Sequence, residues 1–195
     1  MPATPQLILA SSSPYRRILL ERLTRNFHLD PPELDESGLP NEPVEARVKR
    51  LAVEKAEAVA IRHAGALVIG CDQLAACDGK ILGKPGNQAR ALDQLAAVSG
   101  RSVVFHTAVC LLDTRDQRHY QHLDTTNVRF RKLLAAEIDR YLNAEQPYDC
   151  AGSFRSEALG VSLLDAIESE DPTALIGLPL IALCRMLRAC GLPLP

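Results

Sequence analysis

Apolar residues fall along this chain in short runs and helix-spaced stripes, separated by clusters of Pro, Gly, Ser and Asp. Residues 6–10 form a short apolar run ending in three serines and a proline, the pattern of a buried strand feeding a loop. A helix is predicted at once: Ser13 can cap it, Pro14 suits its first position, and Ile18, Leu19 and Leu23 share one face. A Pro-rich acidic loop over 30–43 leads into a long amphipathic helix over 44–63, with Val48, Leu51, Ala52, Ala56 and Val59 inward. Residues 66–70 read as a buried strand that delivers Cys71, Asp72 and Gln73 at its end. Asp78-Gly79 then marks a tight hairpin turn closing near Gly83-Lys84-Pro85. Further along, the pattern predicts a helix over 88–98 and paired strands over 102–112 and 118–130. Helices over 135–145 and 173–190 follow, with a strand-like stretch over 159–164 between them. Such a mixture implies an α/β fold with a mixed sheet.

The chain has 195 residues, enough to bury a core without staples, and no linker or repeat divides it, so 1–195 is read as one domain. With 47% hydrophobic and 24% charged residues it has a globular composition, not a disordered one. A formal net charge of -2 leaves no global field to recruit nucleic acid or an anionic membrane, so an anionic ligand needs a local cluster of bases. No tryptophan and 4% aromatic residues also argue against a single-stranded nucleic-acid platform. Six cysteines without a C-x-x-C pair, no signal-like N-terminus and no long apolar run lead to the expectation of a reduced, cytoplasmic protein off the membrane. The oligomeric state is open, a homodimer included.

The candidate chemistry is phosphate chemistry. A strand, a Ser-rich loop with Ser13, and a helix whose first turn carries Arg16 and Arg17 can cradle an anion through backbone N–H groups, the helix dipole and guanidinium donors. Plain capping and surface arginines are an equal reading of the same residues. Asp72, after an apolar strand, could hold a metal or orient a water, or merely start a turn. Lys84 could reach a phosphate from its turn, and Lys55 lies among charges where intrahelical pairing is the simpler account. Asp35-Glu36 could offer oxygens to Mg²⁺, while solubility explains most acidic loops. His119 and His122 lack carboxylate company for a zinc site. Walker, dinucleotide and nucleophile-elbow signatures do not occur, which leaves a less common phosphate chemistry.

Several short motifs occur in a fixed order: Leu9 to Arg17, Asp35-Glu36, Arg50-Leu51-Ala52 with Lys55-Ala56, and Gly70 to Gln73. Gly83-Lys84-Pro85, Ala151 to Glu157 and Ile176-Gly177-Leu178-Pro179 continue the series. In order and spacing, along nearly the whole chain, this set resembles the Maf-like nucleotide pyrophosphatases. Gln73, with an aromatic residue at Tyr15, resembles the branch that cleaves 7-methyl-GTP, where tryptophan is typical at the Tyr15 position. Arg and Thr at these two positions mark the dTTP/UTP branch instead. The resemblance implies an elongated mixed sheet flanked by helices, with two lobes around a nucleotide-binding cleft, as in Maf and inosine-triphosphatase-like proteins. It further implies a small-molecule nucleotide substrate, a divalent cation (Mg²⁺ or Mn²⁺) and Asp72 as proton acceptor; Asp72 and Glu36 are the candidate ligands for such a cation. Phosphate contacts fall to Ser13, Arg16, Arg17, Lys55 and Lys84, and specificity to Tyr15, Gln73 and Glu157. The alternatives are a dTTP/UTP pyrophosphatase of the same family and a nucleotide-binding regulator of cell division that no longer hydrolyses. Retention of Asp72, Lys55 and Lys84 weighs against the regulator.

Overall fold

The computed structural model describes residues 5–195. Among these, seven strands form one sheet and five α-helices accompany it. The elements are β1 (Leu7–Ala10), α1 (Pro14–Glu21), β2 (His28–Leu29), α2 (Val44–Ala60), β3 (Leu67–Cys77), β4 (Lys80–Leu82) and α3 (Gln88–Val98). β5 (Ser102–Asp113), β6 (Arg118–Phe130), α4 (Ala135–Glu145), β7 (Leu164–Glu168) and α5 (Leu180–Ala189) complete the chain. Strand order is β2-β1-β3-β5-β6-β7, with β4 paired to β3 off this path. β1 runs parallel to β2 and β3, while β3–β4 and β6–β7 are antiparallel, so the α/β class and mixed sheet expected from the sequence are what is observed. The predicted hairpin turn forms with Asp78 and Gly79 at φ of 47° and 76°, the left-handed pair that a two-residue hairpin requires.

The chain divides into two compact units. One comprises residues up to Asp72, Thr107–Asp124 and Asp171–Pro195; the other comprises Gln73–His106 and Thr125–Glu170. The first has an aliphatic core, with Leu7, Leu9, Ile69, Leu111, Leu183 and Leu187 among its members. Its helix α1 starts as the sequence predicts, with Ser13 as N-cap and Pro14 in the first turn. In the second unit α3 packs on α4, and Phe154 meets Phe105 and Phe130 at centroid distances of 5.7 and 5.5 Å.

Four expectations are corrected. β3 does not end before Asp72 but runs on to Cys77, so Asp72 lies inside a strand and is buried. Helix α2 stops at Ala60, and His63 turns away to meet Asp30 through Nε2 at 2.7 Å. Residues 159–163 form a 3-10 turn, and β7 begins only at Leu164. There a side chain at Gly160 would run into the Arg155 carbonyl, a backbone approach that straight strand does not make. Finally, α5 begins at Leu180, not at Thr173. Gly177 sits at φ +129° and Pro179 follows it, so the helical periodicity of 173–178 is spent on a turn.

Candidate active site

Helix α2 lies so close to β3 that a Cβ on Gly70 would collide with the Ala52 carbonyl and Ala56 amide. Only glycine permits that approach, and it carries Lys55 beneath the surface toward the strand. Lys55 and Asp72 are each 5% exposed, and Lys55 Nζ stands 2.6 Å from Asp72 Oδ1 and 3.0 Å from Glu36 Oε2. Lys55 therefore does not pair within its helix; both its partners come from elsewhere in the chain. The other carboxylate oxygen, Asp72 Oδ2, is buried with no hydrogen-bond partner. A buried ion pair is a poor way to gain stability, and an orphaned buried acceptor costs about 1–3 kcal/mol, so this arrangement calls for a ligand or water to complete it.

Glu36 reaches Lys55 because the acidic loop is clamped to α2. Arg47 Nη2 donates to the Glu36 carbonyl at 2.8 Å. Arg50 grips Glu42 through Nε and Nη2 at 2.6 and 2.7 Å, and donates to Glu54 at 2.9 Å and to the Ser37 carbonyl at 3.1 Å. The Arg50 guanidinium lowers the Glu42 carboxyl to about 2. Asp35 is also held below the usual carboxylate range, chiefly by hydrogen bonds from Ser37. Sequence reasoning singled out neither Arg47 nor Arg50 as a loop clamp; their one-turn spacing opposite a long acidic loop is the available signal.

The Ser-rich loop supplies the second cluster. Ser11, buried and missed from sequence, accepts from the Ser13 amide at 3.2 Å and from Arg16 Nη1 at 3.3 Å. Ser13 Oγ accepts from the Arg16 amide at 3.4 Å, and Arg16 Nε donates to the Gly177 carbonyl at 3.0 Å. The same carbonyl takes the thiol of Cys71, the residue before Asp72, at 3.0 Å. Burial pushes that thiol's pKa up, so it stays a neutral donor. The two clusters of this unit therefore meet at neighbouring positions of β3. Tyr15 lies half-buried on α1. Arg17 is not brought into the cradle: its Nε donates to Glu21 at 2.8 Å one turn along an exposed face.

The remaining candidates belong to the other unit. Gln73 is half-buried in β3. Lys84 is exposed on a turn that is itself pinned, by Gln94 Nε2 donating to the Gly83 carbonyl at 3.1 Å and the Gly86 amide donating to the Tyr148 carbonyl at 2.9 Å. Glu157 is exposed; its Oε1 lies 3.6 Å from Arg155 Nε, while Arg155 Nη1 makes its shorter contact, 2.9 Å, with Glu145.

Known proteins can be compared with this arrangement. The profile of the Maf-like proteins matches residues 6–190. This chain belongs to the Maf-like protein family. Among curated relatives, a protein of Burkholderia pseudomallei (strain 1710b) is 58% identical over 193 residues, covering 97% of this chain and 90% of its own. One of Xanthomonas oryzae pv. oryzae (strain MAFF 311018) is 57% identical over 191 residues, covering 98% of this chain and 100% of its own. One of Aromatoleum aromaticum (strain DSM 19018 / LMG 30748 / EbN1) is 55% identical over 190 residues, covering 97% and 98%. All three are named 7-methyl-GTP pyrophosphatase.

The residues present in this Maf-like chain fit a small divalent cation. Asp72 Oδ2 is an unclaimed carboxylate oxygen, and Glu36, more than half exposed, is a second carboxylate on the same lysine. One or two carboxylates plus substrate phosphates and waters are what Mg²⁺ takes. No third His, Cys, Asp or Glu joins them among the described residues.

Proposed function

We propose that this chain hydrolyses 7-methyl-GTP to 7-methyl-GMP and pyrophosphate. The observation that carries the chemistry is the orphaned Asp72 Oδ2, an acceptor held in place by Lys55 beside an arginine cradle. The names of relatives at 55–58% identity carry the substrate. Asp72 orients the attacking water and accepts its proton. Lys55 and Arg16 balance phosphate charge, joined by Ser13 at the start of α1 and by Lys84. A divalent cation, Mg²⁺ or Mn²⁺, bound through Asp72 and Glu36, would supply charge that acidifies water and offsets the triphosphate. Arg17, committed to Glu21, contributes to the field more than to contact.

Methylation at N7 makes the guanine ring cationic. Tyr15 offers it an aromatic face, worth about 0.5–2 kcal/mol depending on desolvation, and Glu157 and Gln73 offer polar edges. The cytoplasm is the compartment of this activity, supported by the cysteine spacing. Whether the protein works as a homodimer is settled by light scattering.

The test is pyrophosphate release by the purified protein with Mg²⁺ or Mn²⁺ and 7-methyl-GTP, GTP, dTTP or UTP at equal concentration. We expect 7-methyl-GTP to be cleaved well ahead of the others. A preference for dTTP or UTP overturns the base assignment alone; no turnover of any nucleotide overturns the hydrolysis.

A further inference from the structure

The turn before α5 is built more tightly than a connection needs. Asp171 is buried, 3% exposed, yet it is an acid far in sequence from the bases of the cradle. Its Oδ1 accepts from the Thr173 amide at 2.9 Å and the Thr173 hydroxyl at 2.6 Å, and its Oδ2 accepts from the Ile181 amide at 2.7 Å. Thr173 Oγ1, having donated its proton to Asp171, accepts from the Leu180 amide at 2.8 Å. These two side chains thus satisfy the first amides of α5, whose own N-cap position is Pro179 and makes no side-chain cap bond. Inside the turn the Gly177 amide donates to the Ala174 carbonyl oxygen at 2.9 Å. The same oxygen accepts the Thr107 hydroxyl from β5 at 3.0 Å. With both ends tied, Gly177 is held at φ +129°, and its carbonyl points at Arg16 Nε and Cys71 Sγ.

That carbonyl and Ser11 together engage Arg16 through Nε and Nη1, while Nη2 takes no hydrogen bond among the described residues. A guanidinium held at two of its nitrogens presents the third, Nη2, in one orientation, which is what donation to a phosphate oxygen demands. We propose that Asp171 and Thr173 are positioning residues: through the Gly177 carbonyl they set the orientation of the Arg16 guanidinium for the nucleotide's phosphates. This rests on the reading of Arg16 as a phosphate ligand. The hydrogen bonds of the two residues go to the turn itself and to the start of α5.

Thr173→Val keeps the shape of the side chain and removes the hydroxyl that links Asp171 to the Leu180 amide, whereas Thr173→Ser keeps the hydroxyl. The experiment measures kcat/KM and Tm for both variants, for Arg16→Ala, and for Arg16→Ala with Thr173→Val. We expect Thr173→Val to lower kcat/KM by about ten- to a hundred-fold, the scale of losing a phosphate donor's placement, and Thr173→Ser to restore most of it. In the Arg16→Ala background Thr173→Val should lower Tm again but kcat/KM no further, because the group it acts through is gone. Full kcat/KM in Thr173→Val beside an impaired Arg16→Ala overturns the positioning role alone, as do losses that multiply in the double variant. Unimpaired Arg16→Ala overturns the phosphate reading of Arg16 and this role with it. If Thr173→Val fails to fold, the same cycle is run with Thr107→Val, which frees the turn from its β5 side.

Discussion

In the unit that contains Asp72, every charged candidate is tied to a protein group: Lys55 to Asp72 and Glu36, Arg16 to Gly177 and Ser11, Arg17 to Glu21. In the unit that contains Lys84 and Glu157, Lys84 stands exposed on a turn whose backbone is fixed at Gly83 and Gly86, and Glu157 keeps only long contacts, 3.6 Å to Arg155 and 3.4 Å to Ser156. The difference is one of where organisation is stored. Charges buried in pairs are already oriented before any ligand arrives, and their removal disturbs the fold as well as the chemistry. Exposed charges on pinned turns cost the fold nothing and act only when a ligand meets them. Substitutions at the buried Lys55–Asp72 pair should therefore lower stability and turnover together, and those at Lys84 and Glu157 turnover or selectivity alone.

The largest effect is expected at the buried pair. Asp72→Asn should lower kcat by about 10³-fold, the scale of a lost proton acceptor. Lys55→Met, which strands Asp72, should cost about 3 kcal/mol in chemical denaturation. A soluble Lys55→Met of native stability would show that the pair is not the organising feature of its unit. Next comes Gly70→Ala, where a methyl group meets the Ala52 carbonyl and Ala56 amide. It should destabilise by about 2–3 kcal/mol through displacement of α2, and carry Lys55 out of register, with a parallel fall in turnover.

In the other unit, Lys84→Ala should reduce kcat/KM by about ten- to a hundred-fold. Its Tm should stay within about 2 °C of the parent; a larger drop would place Lys84 with the buried set. Glu157→Ala should leave GTP turnover near the parent level and erode the preference for 7-methyl-GTP by about ten-fold in competition assays.

The smallest effect concerns the loop clamp. Arg50 lowers the Glu42 carboxyl to about 2 in the folded protein, from an ordinary value of 4.5. The stabilisation it contributes is thus complete above about pH 4.5 and disappears as pH falls toward about 2. Melting curves across that window should fall a little more steeply for the parent than for Glu42→Gln, and identical slopes would remove the clamp from the account.

Local patterning located much of the fold. The bounds of α3, β6 and α4 are those the hydrophobic periodicity predicts, and Ser13 and Pro14 open α1 as capping rules require. Periodicity failed where a long-range contact outweighed it. Residues 173–178 carry helical spacing, but Thr107 and the Asp171–Thr173 bonds hold them in a turn. Asp72 looked like a strand terminator because an unpaired acid does not belong in a buried strand; paired with Lys55 it does, and β3 continues to Cys77. The same contact explains why Lys55 looked like one surface charge among many: its partners lie 17 and 19 residues away, outside the spacing of a helix.

The sequence by itself determined the class of fold, the order of most elements, and the types of residue available for phosphate chemistry, because these depend on composition, short-range periodicity and capping. Ser11, Gly177 and Asp171 acquire meaning only in the tertiary structure, which brings a carbonyl from near the end of the chain onto Arg16 near its start. Tertiary structure also decided which charges are buried and paired and which remain at the surface. Burial is a property of what packs above a residue, and for Lys55 that depended on the missing Cβ of Gly70, a condition no helical pattern in α2 can express.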